Sequence, residues 1–380
     1  MFDNYFSGKR CLVTGASGVK ATWLALMLLR AGAIVTGLDK KPAALRSNFT
    51  ASGLAGRIRF IHGDVRDLPC VRGLIAENDC VFHLAAEAIV GRAMRTPLET
   101  YSSNTLGTAT VLEALRLADS PKRAVFVTSD KVYAAKPQSE LWVESDQLGA
   151  TGPYAVSKAC AEFVIGDYNR IYFANSETRI AVARAGNVLI GGDDHSSSTT
   201  DGAGRIFVDC YEALADGREP EVFRPTFTRP YTYGLDILSG YMSLMTKLNR
   251  EGIAGEAFNF GPYEQFGVSN ALLATKICEL WGAGILWKAG APRDEPFEYQ
   301  SLWTEKSRKR LEWRPAFTLY EALEATTRWY KAWAALGANV TEGCMYNLNA
   351  SMVEEHRAAA ARLGLDWARE IQSDSAGHQL

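Results

Sequence analysis

Arg10-Cys-Leu-Val-Thr14-Gly15-Ala-Ser-Gly18-Val-Lys-Ala21 decides the fold. Its first five residues are a short apolar run, the next four a glycine-bearing turn. A helix-period stretch follows from about Ala21 to Ala31, and a second apolar run covers Ile34 to Leu38. Strand, glycine turn, helix and strand in this order make a βαβ unit. Gly15 and Gly18 let backbone N–H groups and the positive end of the helix approach a pyrophosphate. A carboxylate, Asp39, closes the second strand about twenty residues on, where it can hold a ribose diol and repel a 2′-phosphate. Lys40 and Lys41 soften that preference for NAD over NADP.

The alternation continues outward from this unit. Ile58 to Ile61, Cys80 to Leu84, Arg123 to Thr128 and Arg179 to Arg184 read as strands; Thr105 to Leu117 and Tyr154 to Tyr172 read as helices. The expected fold is therefore α/β, a Rossmann-like doubly wound parallel sheet. Past Asn187 the rhythm weakens, and the polar stretch Gly191 to Gly204 reads as a loop opening a smaller, interleaved α+β region. Glu256 to Phe260 reads as one more buried strand. The expected division is a cofactor-binding domain of residues 1–190 with about 234–262, a substrate-binding region of 191–233 with 263–345, and a C-terminal piece, 346–380. In that last piece a helix is expected from Met352 to about Ile371, followed by a polar tail.

Bulk properties narrow the function. The 41 basic and 43 acidic residues of the 380 nearly cancel, leaving no field to gather nucleic acid. Seven scattered cysteines form neither a disulfide framework nor a metal-ligand pattern, so no metal site is expected. With no signal-like amino terminus and no bilayer-length apolar run, the expected setting is cytoplasmic and free of membrane.

Tyr154 and Lys158 stand four apart at the start of a helix and share one face, which predicts an ammonium near the phenol and a phenol pKa drawn down toward neutrality. The preceding strand ends Val127-Thr128-Ser129-Asp130-Lys131. Together with Thr14 to Ala21, His83-Leu-Ala-Ala86, Asn104-Thr-Leu-Gly107 and Arg184-Ala-Gly-Asn187, these segments resemble the extended short-chain dehydrogenase/reductases that act on nucleotide sugars. Ser-Asp-Lys after the threonine is most similar to the CDP-glucose 4,6-dehydratase branch. The resemblance runs from about residue 8 to 335.

That resemblance implies NAD as cofactor, met by Gly15, Ser17, Gly18, Val19, Asp39, Asp64, Val65, Leu84, Ala85, Ala86, Asn104, Tyr154 and Lys158. It implies a nucleotide-sugar substrate met by Glu87, Thr128, Asn187, Arg205, Arg229 and Tyr231. Tyr154 would take the proton of the C4 hydroxyl, with Thr128 bonded to the same oxygen, while Asp130 as acid and Lys131 as base would eliminate water across C5 and C6. The hydride taken from C4 would return at C6. His83 is expected to be a packed histidine. A homodimer through the helices near 105–117 and 154–172 is implied as well.

Two alternatives stand beside the dehydratase: a 4-epimerase, which needs only Thr128, Tyr154, Lys158 and NAD, and a cofactor-sensing regulator without catalysis. Departures from the family pattern fall on the substrate side, at Glu87 in place of glutamine and at Tyr231-Thr-Tyr233 in place of Trp-Gln-His; Ala21 stands for the third glycine of the turn.

Overall fold

The computed structural model describes residues 1–40, 47–137, 140–193, 205–262, 267–291 and 301–369. Its centre is a seven-stranded sheet whose strands are β1 (Arg10–Thr14), β2 (Ile34–Asp39), β3 (Arg59–His62), β4 (Cys80–His83), β5 (Arg123–Val127), β6 (Arg179–Ala185) and β7 (Ala257–Phe260). The order across the sheet is β7-β6-β5-β4-β1-β2-β3, and every pairing is parallel. The chain winds from β1 outward to β3, then returns to the other side of β1 as β4. Between β1 and β4, therefore, the strand order reverses, and a crevice opens at their carboxyl ends.

Helices cover both faces. One face carries α1 (Val19–Arg30) and the long helix Gly234–Lys247; the other carries Leu68–Glu77, Gly107–Arg116 and Pro153–Tyr168. In α1, Ala21 to Leu28 are all buried, because the sheet lies on one side of the helix and the Gly234–Lys247 and C-terminal helices lie on the other. Local sequence sets the boundaries. Asp67 caps Leu68–Glu77 by accepting from Cys70 N at 3.2 Å, with a proline in the first turn. Thr318 and Glu321 form a capping box at the head of Leu319–Leu336.

The βαβ alternation matches the sequence reading to within a few residues. The C-terminal helix does not: it runs Tyr346–Arg362, beginning six residues before the expected Met352 and ending well short of Ile371. Gly364, at φ +73°, stops it, and Asp366–Ala368 forms a separate short turn. This helix is fastened from inside. His356 Nε2 and Asp236 Oδ1 lie 2.7 Å apart, both buried, while the Asp236 carboxylate also accepts from Ala316 N and Phe317 N. The polar tail and most of the loop after Gly191 lie outside the described residues, as does Lys41. No helix among the described residues is long and apolar enough to cross a membrane.

Candidate active site

At the mouth of the crevice Gly15 leaves β1 with φ +70°, and a Cβ there would stand 2.8 Å from Ala85 Cα. Only glycine allows the β1 and β4 exits to approach so closely. Gly18 is the N-cap of α1 and supplies no side-chain cap, so the first N–H groups of the helix, beginning at Val19, are left for a ligand. Ser17 donates from N (3.0 Å) and Oγ (2.7 Å) to Asp39 Oδ2, locking the turn to the end of β2. These features fit a dinucleotide: an uncapped helix start for the pyrophosphate and a carboxylate on the neighbouring strand for a ribose.

Asp64 follows β3 and is gripped by Arg66, whose Nη2 lies 2.6 Å from Oδ2 and Nε 3.0 Å from Oδ1. Hydrogen bonding to Arg66 holds the carboxyl below its ordinary range. Val65 beside it is buried against Gly107. The N–H groups of Leu84 and Ala85 both donate to Thr14 Oγ1 at 3.1 Å, so this segment, with the half-buried Ala86, offers a ligand its surface and carbonyls.

Asn104 lies between the β4 exit and the Tyr154 helix. Its amide nitrogen donates to Glu87 O (3.1 Å) and Ser157 Oγ (2.9 Å), and its oxygen accepts from Glu87 N (2.7 Å). Both amide hydrogens are engaged, so Asn104 clamps the β4 exit to the Tyr154 helix.

His83 is the packed residue its strand position predicts. Thr14 Oγ1 accepts from two backbone donors and so gives its hydrogen to His83 Nδ1 (2.8 Å); Thr108 Oγ1 gives its own to Asn104 O (2.7 Å) and so accepts from Nε2 (3.1 Å). The ring is therefore the neutral Nε2–H tautomer. Burial, aided by the Lys158 cation, drives its pKa down to about 3.

The helix Pro153–Tyr168 begins at Pro153 and presents Tyr154, Lys158 and Glu162 along one face at four-residue steps. The ammonium expected beside the phenol is tied to the strand end, where Lys158 Nζ donates to Val127 O at 2.9 Å. Burial lowers the Lys158 pKa to about 7, helped by the Lys20 cation and opposed by Glu162. The Tyr154 pKa is raised rather than lowered: burial outweighs the hydrogen bond with Ser129 and the field of Arg205, and Asp130 adds to the rise.

Asp130 and Lys131 open a short turn, Asp130–Val132, immediately after β5 and Thr128. Asp130 is buried and accepts from Ser129 Oγ at 3.0 Å; Lys131 is half-buried. Thr128 is buried, and its hydroxyl donates to Glu162 Oε1 at 2.6 Å.

On the substrate side, Glu87 accepts from Ile89 N (3.1 Å) and pairs with Arg92 (3.3 Å), so its charge is compensated. Arg205 pairs with the buried Asp193 at the head of Ile206–Ala215, and its field reaches Tyr154. Asn187 is half-exposed between β6 and the short strand Val188–Leu189. Arg229 lies over the Phe227 ring, 5.7 Å from its centre, and donates to Thr228 O. Tyr231 is 4% exposed, and its hydroxyl donates to Asn270 Oδ1 at 3.1 Å beside the Arg229 segment.

Two groups escaped the sequence reading. Lys20, in the first turn of α1, lies in the fields of Arg205, Asp193, Asp130 and Lys158, and burial lowers its pKa to about 8. Its position inside the glycine turn was the available signal. The other is the buried Glu162–Arg184 pair: Arg184 Nε lies 2.9 and 3.0 Å from the two carboxylate oxygens, and Nη2 bonds Oε2. The four-residue step after Lys158 pointed toward it.

Residues 11–261 match the model of the NAD dependent epimerase/dehydratase family. The chain belongs to that family. It is 33% identical over 339 residues to a CDP-glucose 4,6-dehydratase of Salmonella typhimurium, covering 87% of this chain and 92% of the relative. To UDP-glucose 4-epimerase 2 of Arabidopsis thaliana it is 27% identical over 339 residues, covering 84% and 95%. Among solved structures, the dTDP-glucose 4,6-dehydratase DesIV of Streptomyces venezuelae, determined with NAD bound, superposes with a TM-score of 0.74 at 26% identity, covering 87% of this chain and all of that one. The extended short-chain dehydrogenase/reductase reading, the Rossmann-like sheet and dependence on NAD therefore stand, and the relatives are nucleotide-sugar dehydratases and epimerases.

Proposed function

We propose that this family member is a nucleotide-sugar 4,6-dehydratase acting on CDP-glucose or a close analogue. The observation that carries the reading is the position of Asp130: a buried carboxylate beside Lys131 at the carboxyl edge of β5, within the fields of Tyr154 and Lys20. Simple epimerisation at C4 has no use for an acid and a base in addition to Thr128, Tyr154 and Lys158. The 33% identity to a CDP-glucose 4,6-dehydratase supports the same reading.

Gly15, Ser17, Gly18, Val19 and Asp39 would hold the dinucleotide at the head of α1 and the end of β2, and Asp64, Val65 and Leu84 to Ala86 would line the rest of its site. NAD supplies the hydride acceptor that oxidation at C4 requires and the hydride donor that reduction at C6 requires. Tyr154 takes the proton of the C4 hydroxyl. Once C4 is a ketone, the C5 proton is acidic; Lys131 removes it, and Asp130 protonates the departing C6 hydroxyl, which leaves as water. Asn187, Arg205 and Arg229 receive the diphosphate, for which an arginine fork is suited.

In this proposal residues 1–190 with about 234–262 carry the cofactor, and 191–233 with 263–345 carry the substrate. A homodimer is proposed through the helices near 105–117 and 154–172, on which Leu106, Phe163 and Ile171 are each more than half exposed, with Leu98 close by at 84%. A cytoplasmic setting is proposed with it.

Incubation of the protein with CDP-glucose and a panel of other nucleotide glucoses, read by mass spectrometry, tests the reaction. Loss of one water from one nucleotide glucose is expected. An unchanged mass with inverted C4 stereochemistry would assign the epimerase instead, and binding of NAD without turnover of any sugar would leave the regulator.

A further inference from the structure

Where the helix Pro153–Tyr168 crosses the end of β5, it touches two consecutive residues. Lys158 takes the carbonyl of Val127, and Glu162 takes the hydroxyl hydrogen of Thr128. The direction of the second bond follows from what surrounds Glu162. Arg184 Nε donates to both carboxylate oxygens and Nη2 to one of them, and a carboxylate in that grip only accepts. Thr128 has a single hydroxyl hydrogen, so that hydrogen is committed.

The grip itself is braced. Arg184 Nη1 donates to Tyr133 Oη (2.9 Å) and Glu144 O (3.1 Å), Tyr133 Oη donates to Asn259 Oδ1 (2.6 Å), and the guanidinium lies over the Tyr133 ring. Glu162 and Arg184 are each about 5% exposed in their side chains. The chain of bonds thus runs from β5 through the helix and β6 to β7.

Resting on the dehydratase reading above, we infer that Glu162 is a positioning residue that turns the hydrogen of Thr128 inward, so that Thr128 offers the sugar an oxygen lone pair and no hydrogen. A C4 hydroxyl can donate to that lone pair in the resting complex, before its single hydrogen turns to Tyr154 for transfer. A C4 ketone cannot, and its oxygen faces another acceptor. Thr128 therefore favours the hydroxyl form of the ligand over the ketone, and it stabilises the ketone only when its hydrogen leaves Glu162. That departure is tolerable because Arg184 alone still satisfies the carboxylate. The preference of this site for substrate over ketone is set by Glu162, a residue that never touches the sugar.

Binding rather than turnover tests this. In a Y154F protein loaded with NAD, calorimetry gives the affinity for CDP-glucose and for CDP-4-keto-6-deoxyglucose. Glu162→Gln presents an amide whose oxygen turns toward Arg184 and whose NH2 donates to Thr128, pushing the threonine hydrogen toward the ligand. The expected result is a shift of about tenfold in the affinity ratio toward the ketone. On a T128V background the same substitution should leave the ratio unmoved, the C6 difference between the two ligands being common to both proteins. An equal shift with and without the Thr128 hydroxyl, or no shift from E162Q, overturns the inference. T128S and T128V, which leave the Arg184 grip intact, supply the check that does not depend on E162Q folding: T128S should keep the parental ratio and T128V should lose the hydroxyl preference, and equal ratios in the two would overturn the inference as well. If neither ligand binds the Y154F protein while other nucleotide sugars do, it is the choice of substrate that fails; the ratio is then read with the sugar that binds and its 4-keto form.

Discussion

Lys158 donates from Nζ to the main-chain oxygen of Val127 across 2.9 Å, placing a cation under the strand end that carries Thr128. Burial makes that cation costly, and its pKa falls from 10.5 to about 7. A depressed lysine is protonated in the unfolded chain and largely neutral in the folded one between these values, so stability rises with pH across that window. The penalty is complete below about pH 7 and gone above about 10.5. Lys158→Met should accordingly raise the melting temperature most at pH 6 and lose its advantage as the pH approaches 10.5. A constant difference at every pH would show that Lys158 is not a buried, titrating cation.

The Glu162–Arg184 pair makes an opposite demand. Removing one partner strands a buried charge, and E162A should destabilise the protein by about 3–5 kcal/mol in chemical denaturation. Replacing both partners, as in E162L/R184L, removes the stranded charge and should recover most of the loss. A double variant as unstable as E162A would mean that packing around the pair, and not its charge, sets the cost.

At the phosphate turn two glycines part company. Gly15 has φ +70° and backbone 2.8 Å from the would-be methyl, whereas Gly18 has φ −70° and meets only Gly15 O, at 3.1 Å. G15A should cost at least roughly 2 kcal/mol, from backbone strain together with the clash at Ala85. G18A should cost less than about 1 kcal/mol of stability and act instead on cofactor affinity, by placing a methyl at the head of α1. Paired thermal melts and NAD titrations of the two variants would separate the effects.

Asp39 is joined to the turn through Ser17 and, in the proposed reading, holds the cofactor's ribose. D39A should weaken NAD about 10- to 100-fold, matching the roughly 1.5–3 kcal/mol carried by hydrogen bonds to a charged group. NADP should be spared that loss, because the same carboxylate repels its 2′-phosphate. Fluorescence titration with both cofactors checks this, and a parallel loss of both would reduce Asp39 to a brace for the loop.

By itself the sequence determined the sheet and the glycine turn that leaves β1. Apolar runs of strand length alternate with helix-period stretches, and that alternation permits only a parallel sheet wound on both faces. Gly15, Gly18 and Asp39 were legible because their chemistry is local, each tied to the end of its own strand or the start of its own helix. Tyr154, Lys158 and Glu162 share a helical face for the same reason. What that face touches was decided by tertiary structure: the ammonium of Lys158 goes to Val127 O, and the hydrogen of Thr128 goes to Glu162. Partners such as Glu162 and Arg184, 22 residues apart in sequence, or His356 and Asp236, 120 apart, carry no local periodicity and meet only when the sheet and its covering helices close. The extent of the C-terminal helix belongs with them, since its buried side is defined by Asp236 and the aromatic rings around His356. The rise of the Tyr154 pKa belongs there too, because burial is a property of the closed fold, and it outweighs the Ser129 hydrogen bond and the field of Arg205.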